Sequence, residues 1–157
     1  MKITSAVLLF AGLTTAAPTD EGKACPPPAH LKYHITNFSA AKGHMSGYCR
    51  YEFDVAGPRM ATPKPAHCTA YVDAGFSGAT WLALVWNGTC DNDAVKWTFS
   101  DPVDPSGDAL FQVSINNITG NYTVPAKDIT VWLNDEPNPF DNDVAYTGPK
   151  EFYITEF

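Results

Sequence analysis

Apolar and polar side chains alternate with a period of two in five separate segments of this chain, and that alternation restricts it to strands. In "YCRYEFDV", Cys49, Tyr51, Phe53 and Val55 point one way, while Arg50, Glu52 and Asp54 point the other. In "VKWTFS", Val95, Trp97 and Phe99 alternate with Lys96, Thr98 and Ser100, and the pattern returns in "LFQVSIN", "DITVWLN" and "EFYITEF". No segment sustains a helical period. Thirteen prolines and the turn-rich stretches "AGPRMATPKP", "DAGFSGA", "SDPVDPSGD" and "NDEPNPFDND" separate the runs. About eight short strands joined in this way predict an all-β fold, a single antiparallel β-barrel or β-sandwich. There is no repeat at a fixed period. "DNDA" at Asp91 and "DNDV" at Asp141 look alike, but both fall where turns are expected, so residues 31–157 read as one domain.

The first residues, "MKITSAVLLFAGLTTAAP", run from one basic residue through an apolar stretch to small side chains. This is the anatomy of a secretory signal peptide, too short to span a bilayer. Cleavage is expected after Ala16, since a cut after Ala17 would leave Pro18 directly behind the scissile bond. A Pro-rich leader follows over residues 17–30. The chain carries a net charge of −7, made one unit more acidic by loss of Lys2, and no Lys/Arg cluster offsets it. Nucleic acid and anionic membranes are therefore excluded as expected partners. Four cysteines, Cys25, Cys49, Cys68 and Cys90, read as two disulfides in an exported chain, with three possible pairings. Sequons at Asn37, Asn87, Asn117 and Asn121 point to glycosylation of at least one of them and to a eukaryotic source.

The stretch "WNGTCDNDAVKW" concentrates a sequon, a cysteine, two carboxylates and two tryptophans. Catalysis by Asp91 and Asp93 is disfavoured, because both share one polar turn with nothing to separate their acidities. Calcium would need six to eight oxygens, approximately, in a defined geometry; the acidic loops offer oxygens but no EF-hand spacing. The reading that explains most is a stapled turn. "TWLALVW" is expected to be a buried strand, "NGTCDND" its turn and "AVKWTF" the return, with Cys90 tied to another strand and Trp97 buried beside Phe99.

His30, His34, His44 and His67 form no zinc-ligand pair, so no metal and no cofactor are expected. His34 and Glu52 would make an acid/base pair across two strands, as in small secreted ribonucleases; a solvent-facing histidine beside a carboxylate is the plainer account. There is no Gly-x-Ser-x-Gly elbow, and the cysteines are assigned to bridges rather than to a nucleophile. Most aromatics belong in the core. Trp132 is the exception: it alternates against Ile129, Val131 and Leu133 and is expected to face outward. With the acidic, proline-containing loop that follows, it forms the candidate binding surface: Trp132, Asp135, Glu136, Phe140, Asp141 and Asp143. Glycans on the paired sequons of "NNITGNYT" would cover a hairpin end elsewhere and leave that loop open to a partner.

Several segments together resemble a known family. They are the Cys-Pro leader with its Tyr-x-Ile-x-x-Phe strand in "ACPPPAHLKYHITNFSAAKG", the Cys-x-Tyr-x-Phe strand in "GYCRYEFDV", the "CTAYV" opened by Cys68, "WNGTCDNDAVKWTF" and the terminal "FYIT". The chain is similar over most of its length to the small secreted fungal proteins grouped with the major Alternaria allergen, which include plant immunity elicitors. The resemblance implies a compact antiparallel barrel or sandwich and an effector, elicitor or allergen-like role without an established catalytic site. It implies a Cys68–Cys90 bridge. Cys25 matches a cysteine that links two subunits in the allergen; here Cys49 is additional and the allergen's later cysteine pair is missing. A Cys25–Cys49 bridge within one chain, and hence a monomer, is therefore expected. Each bridge would close a loop of somewhat over twenty residues, stabilising by about 3 kcal/mol in the chain-entropy description.

The expected function is that of a secreted, non-catalytic binding protein acting on a host apoplastic protein or a cell-wall glycan. A small secreted hydrolase of polysaccharide or RNA is the first alternative, and it requires a cleft holding two titratable groups of separated acidity. A carbohydrate-binding module is the second, and it requires coplanar exposed aromatics including Trp132.

Overall fold

The structure, a computed structural model, describes residues 32–100, 107–133 and 142–156. The expected signal peptide (1–16) and leader (17–30, with Cys25) lie outside the described residues. Ten strands are described: β1 (Lys32–Lys42), β2 (Tyr48–Ala56), β3 (Ala66–Asp73), β4 (Val85–Cys90), β5 (Val95–Ser100), β6 (Ala109–Ile115), β7 (Ile118–Val124), β8 (Ile129–Trp132), β9 (Asp143–Tyr146) and β10 (Phe152–Glu156). Strands β1 to β7 pair antiparallel in sequence order. β10 then bridges β7 to β1, which closes an eight-stranded barrel. Closure decides the alternative left open by the sequence: this is a barrel, not a sandwich. The β8–β9 hairpin hangs from the far end of β1 through Ala41↔Ala145 and Lys42↔Val144, and among the described residues β8 is the edge strand.

The alternating positions behave as the period-two pattern predicts. Cys49, Tyr51, Phe53 and Val55 of β2 face the interior, as do Val95, Trp97 and Phe99 of β5 and Phe152 and Ile154 of β10. Phe38 sits among Phe53, Phe111, Tyr146 and Phe152 with ring centroids 4.9–5.9 Å apart, in the tilted and edge-on arrangements that aromatic quadrupoles favour. Phe38 reaches the interior because β1 carries a bulge between Thr36 and Ser39, with Asn37 in the left-handed region at φ 56°. The two-residue gap in Tyr33-x-Ile35-x-x-Phe38 is that extra residue. On β7, Gly120 lets β10 close the barrel: a Cβ there would stand 2.5 Å from Ile154 Cγ2 and 2.9 Å from Thr155 O.

Residues 74–84 fold over the end of the barrel where β1 turns into β2, burying Ala74, Ala79, Leu82 and Ala83. Polar contacts from β1 and β2 help hold the segment down. The buried Lys42 ammonium donates to Ser77 O at 2.6 Å, Tyr51 Oη donates to Ala83 O, and Ala83 N–H donates to Cys49 Sγ at 3.2 Å.

Two expectations need correction. Cys68 and Cys90 are bridged, directly opposite one another in the β3–β4 pairing. Cys49, however, is a free, buried thiol facing the barrel interior, so the described residues hold one disulfide rather than two. Its sulfur accepts from the Ala83 N–H of the capping segment; Cys25, the expected partner, lies outside the described residues. "TWLALVW" is likewise not one buried strand: only Val85 onward is β4, Thr80–Leu84 belongs to the end cap, and Trp81 and Trp86 are exposed.

Candidate functional site

Two constellations on the outer wall carry chemistry. The first lies across β1, β2 and β3. The β2–β3 register sets Asp54 opposite His67, and His67 Nδ1 lies 2.8 Å from Asp54 Oδ1. On the other side of the carboxylate, Asn37 Nδ2 donates to Asp54 Oδ2 at 2.8 Å, placed there by the β1 bulge. The Asn37 hydrogen bond is the main reason the Asp54 carboxyl titrates below its ordinary range; contact with His67 adds to it and partial burial opposes it. His67 Nε2 looks toward Glu52 Oε1 at 3.7 Å, and Glu52 accepts from Arg50 Nη2 at 2.7 Å. The result is an imidazole oriented by a carboxylate, the elementary form of a general base.

His34 and Glu52, paired in the sequence reading, are separated by the register. Ala56 stands opposite His34 and Ser39 opposite Glu52, so the position facing His34 is four residues along β2 from Glu52. His34 instead meets Glu151 Oε1 at 2.7 Å and stacks on Tyr153 at 4.5 Å. Asp91 is structural: its Oδ1 accepts from the His67 backbone N–H at 2.8 Å, and Lys64 Nζ stands 3.7 Å from Oδ2. Beside it lies an open depression of about 460 Å³, lined among others by Lys64, Asp91 and Asp93.

The second constellation lies where β3 and β4 part. Their register covers Cys68↔Cys90 and Thr69↔Thr89, and past these the seam opens into a groove of about 310 Å³. Tyr71 and Trp86 stand in its walls, 69% and 78% exposed. Trp86 faces outward because β4 shifts register between Val85 and Gly88: Val85 and Gly88 turn inward, while the consecutive Trp86 and Asn87 both turn out. Tyr48, diagonal to Tyr71 across the β2–β3 pair, stacks on it at 4.8 Å and 9°. Alternation alone missed this site, because the bulge puts Trp86 out of phase. The one available signal was Gly88, a glycine inside a strand.

The expected surface around Trp132 is only partly described. Trp132 is 49% exposed and pairs with Asp143, whose Oδ2 lies 3.5 Å from His44 Nδ1. Val131 and Leu133 are also exposed, so β8 does not sort its side chains into one buried and one open face. Asp135, Glu136, Phe140 and Asp141 lie outside the described residues, and among the described residues Trp132 is not part of the lining of the Tyr71–Trp86 groove. The sequons take distinct places. Asn87 is exposed in the groove wall. Asn117 is the second residue of a tight hairpin turn with φ 66°, after Asn116 at φ 51°. Asn121 accepts from Gln112 Nε2 at 2.9 Å on the outer wall, and Asn37 is committed to Asp54. Among the described residues no group of three or more His, Cys, Asp or Glu side chains is placed to hold a metal ion.

No protein-family model, no curated protein and no solved structure matches the chain.

Proposed function

We propose that this chain is an exported, non-catalytic binding protein of the effector or elicitor type, acting on a host apoplastic protein or a cell-wall glycan from the outer wall of its barrel. One observation carries the reading. The interior is filled by Tyr51, Phe53, Trp97, Phe99 and Phe111, while Tyr71, Trp86 and Trp132 are left to solvent. A filled barrel has no room for an internal ligand, and large aromatics held outside mark binding surfaces. An apolar interior with a charged exterior is also the inverse of a membrane-spanning barrel. The Cys68–Cys90 bridge favours an oxidising compartment. The test is secretion from a eukaryotic host with the natural leader, followed by binding to cell-wall polysaccharides and to purified apoplastic proteins. Retention inside the cell with residues 1–16 intact would defeat the export reading. Failure to bind either class of partner would defeat the binding reading.

The hydrolase reading rests on His67, oriented by Asp54 and next to the depression beside Asp91. It predicts hydrolysis of polysaccharide or RNA that disappears in His67→Ala.

A further inference from the structure

The geometry points to the β3–β4 groove as the seat of a neutral, β-linked polysaccharide chain, an inference that rests on the binding reading above and deepens it. A β-linked pyranose chain is a ribbon whose ring faces show C–H bonds and whose edges show hydroxyls. Its receptor needs aromatic planes for the faces, neutral hydrogen-bonding groups for the edges and a channel open to solvent.

The groove supplies each of these. Trp86 and Tyr71 offer their rings to solvent from opposite walls, and neither is buried against the core. A regular strand would have turned one of Trp86 and Asn87 inward; the bulge turns both out and sets an amide beside an indole. Thr69, Thr89 and Asn87 bring hydroxyls and an amide to the same walls. Tyr48 backs Tyr71 in a parallel stack, which limits the freedom that ring would lose on binding.

Charge and size select the ligand. The groove runs from Thr69 to Val72 and from Leu84 to Thr89, and neither stretch contains Asp, Glu, Lys, Arg or His. The adjoining wall, by contrast, bears Arg50–Glu52 and Asp54–His67 in a chain of net charge −7. An uncharged channel in a charged surface fits an uncharged ligand. A volume of about 310 Å³ falls at the small end of ligand clefts, roughly 300–1,000 Å³. The Cys68–Cys90 bridge pins the narrow end, and the buried Trp97 indole packs beneath Gly88 and makes this stretch of the groove wall rigid.

The experiment uses the full secreted protein and titrates cello-, chito- and laminari-oligosaccharides, following tryptophan emission and heat, with polygalacturonate as the charged comparison. A neutral series is expected to bind. Trp86→Ala and Tyr71→Ala should each weaken it by about tenfold or more, whereas Tyr153→Ala, at an exposed aromatic on β10, leaves it unchanged. All three positions are exposed, so unchanged melting curves would establish that the variants fold. Neutral-glycan binding that survives both groove variants would overturn this site while leaving the binding reading intact. So would capture of an apoplastic protein or polygalacturonate in place of neutral glycans. A glycan covalently attached to Asn87, with no binding gained in Asn87→Gln, would also overturn it, because the groove would then house the protein's own sugar.

Discussion

The indole of Trp97 lies directly over Gly88: a Cβ built on Gly88 would stand 2.0 Å from Trp97 Cε2 and 2.3 Å from Cδ2. Trp97 cannot move aside, because Phe53 and Tyr51 hold it at ring-centroid distances of 5.1 and 5.8 Å. Gly88→Ala is therefore expected to destabilise by about 3 kcal/mol, at the upper end of overpacking effects. In a Trp97→Ala background the same change should cost under about 1 kcal/mol, since the clash is gone. Denaturant midpoints of the four proteins in this cycle decide the matter, and additive costs would refute the contact.

Reduction of Cys68–Cys90, or its replacement by Ala at both positions, should cost about 3 kcal/mol, as expected for a bridge with a sequence separation of 22. The same treatment should loosen the β3–β4 seam ahead of the rest of the barrel. Hydrogen exchange would then rise first at Thr69 and Thr89. Uniform exchange across all strands would count against a local role for the bridge.

Cys49 should resist alkylation in the native protein and react fully once the chain is unfolded. Burial pushes its thiol up, against a smaller opposing pull from the Ala83 N–H and the Lys42 charge. With the folded value raised, unfolding releases the proton more readily. Stability should therefore fall as pH rises above the ordinary thiol range toward the folded value. Mass mapping without reductant is the check: a free Cys49 is expected, and a Cys25–Cys49 peptide would contradict the buried thiol.

The carboxyl of Asp54 is held low by Asn37 and His67, so its contribution is present above the ordinary carboxylate range and is lost as pH falls through the folded value. Asn37→Gly keeps a residue able to adopt φ 56° but removes the amide. Asp54 should then titrate at higher pH, and acid unfolding should begin earlier. Carboxyl carbon shifts measured by NMR against pH give the answer; an unmoved Asp54 would assign the effect elsewhere.

Lys42→Met should cost about 1–3 kcal/mol, because it strands the Ser77 carbonyl that the ammonium satisfies. Residues 74–84 should lose exchange protection while the strands keep theirs.

Much of the barrel was legible from alternation, because a strand with one buried face must repeat every second residue. The interior side chains of β2, β5 and β10 follow directly from it. Alternation failed where an extra residue shifts the phase. At Val85–Gly88 it placed Trp86 in a buried strand, and the bulge turned that residue into the exposed wall of a groove. Pairing across strands was also out of reach. Alternation allows His34 to face Glu52 but does not fix its carboxylate; the bulge at Asn37 and the return of β10 beside β1 give it Glu151 and Tyr153.

The sequence by itself determined that this chain is all-β, which residues of its regular strands face inward, and that Cys90 staples a turn. These are local properties, decided by side-chain periodicity and turn chemistry. Only the tertiary structure decided that the sheet closes, that Cys49 is a buried thiol, that Lys42 clamps the end cap, and that Tyr48, Tyr71 and Trp86 meet at one seam. Each of these depends on the register between strands far apart in the chain, and register is set by bulges, by glycines such as Gly88 and Gly120, and by packing of the whole core.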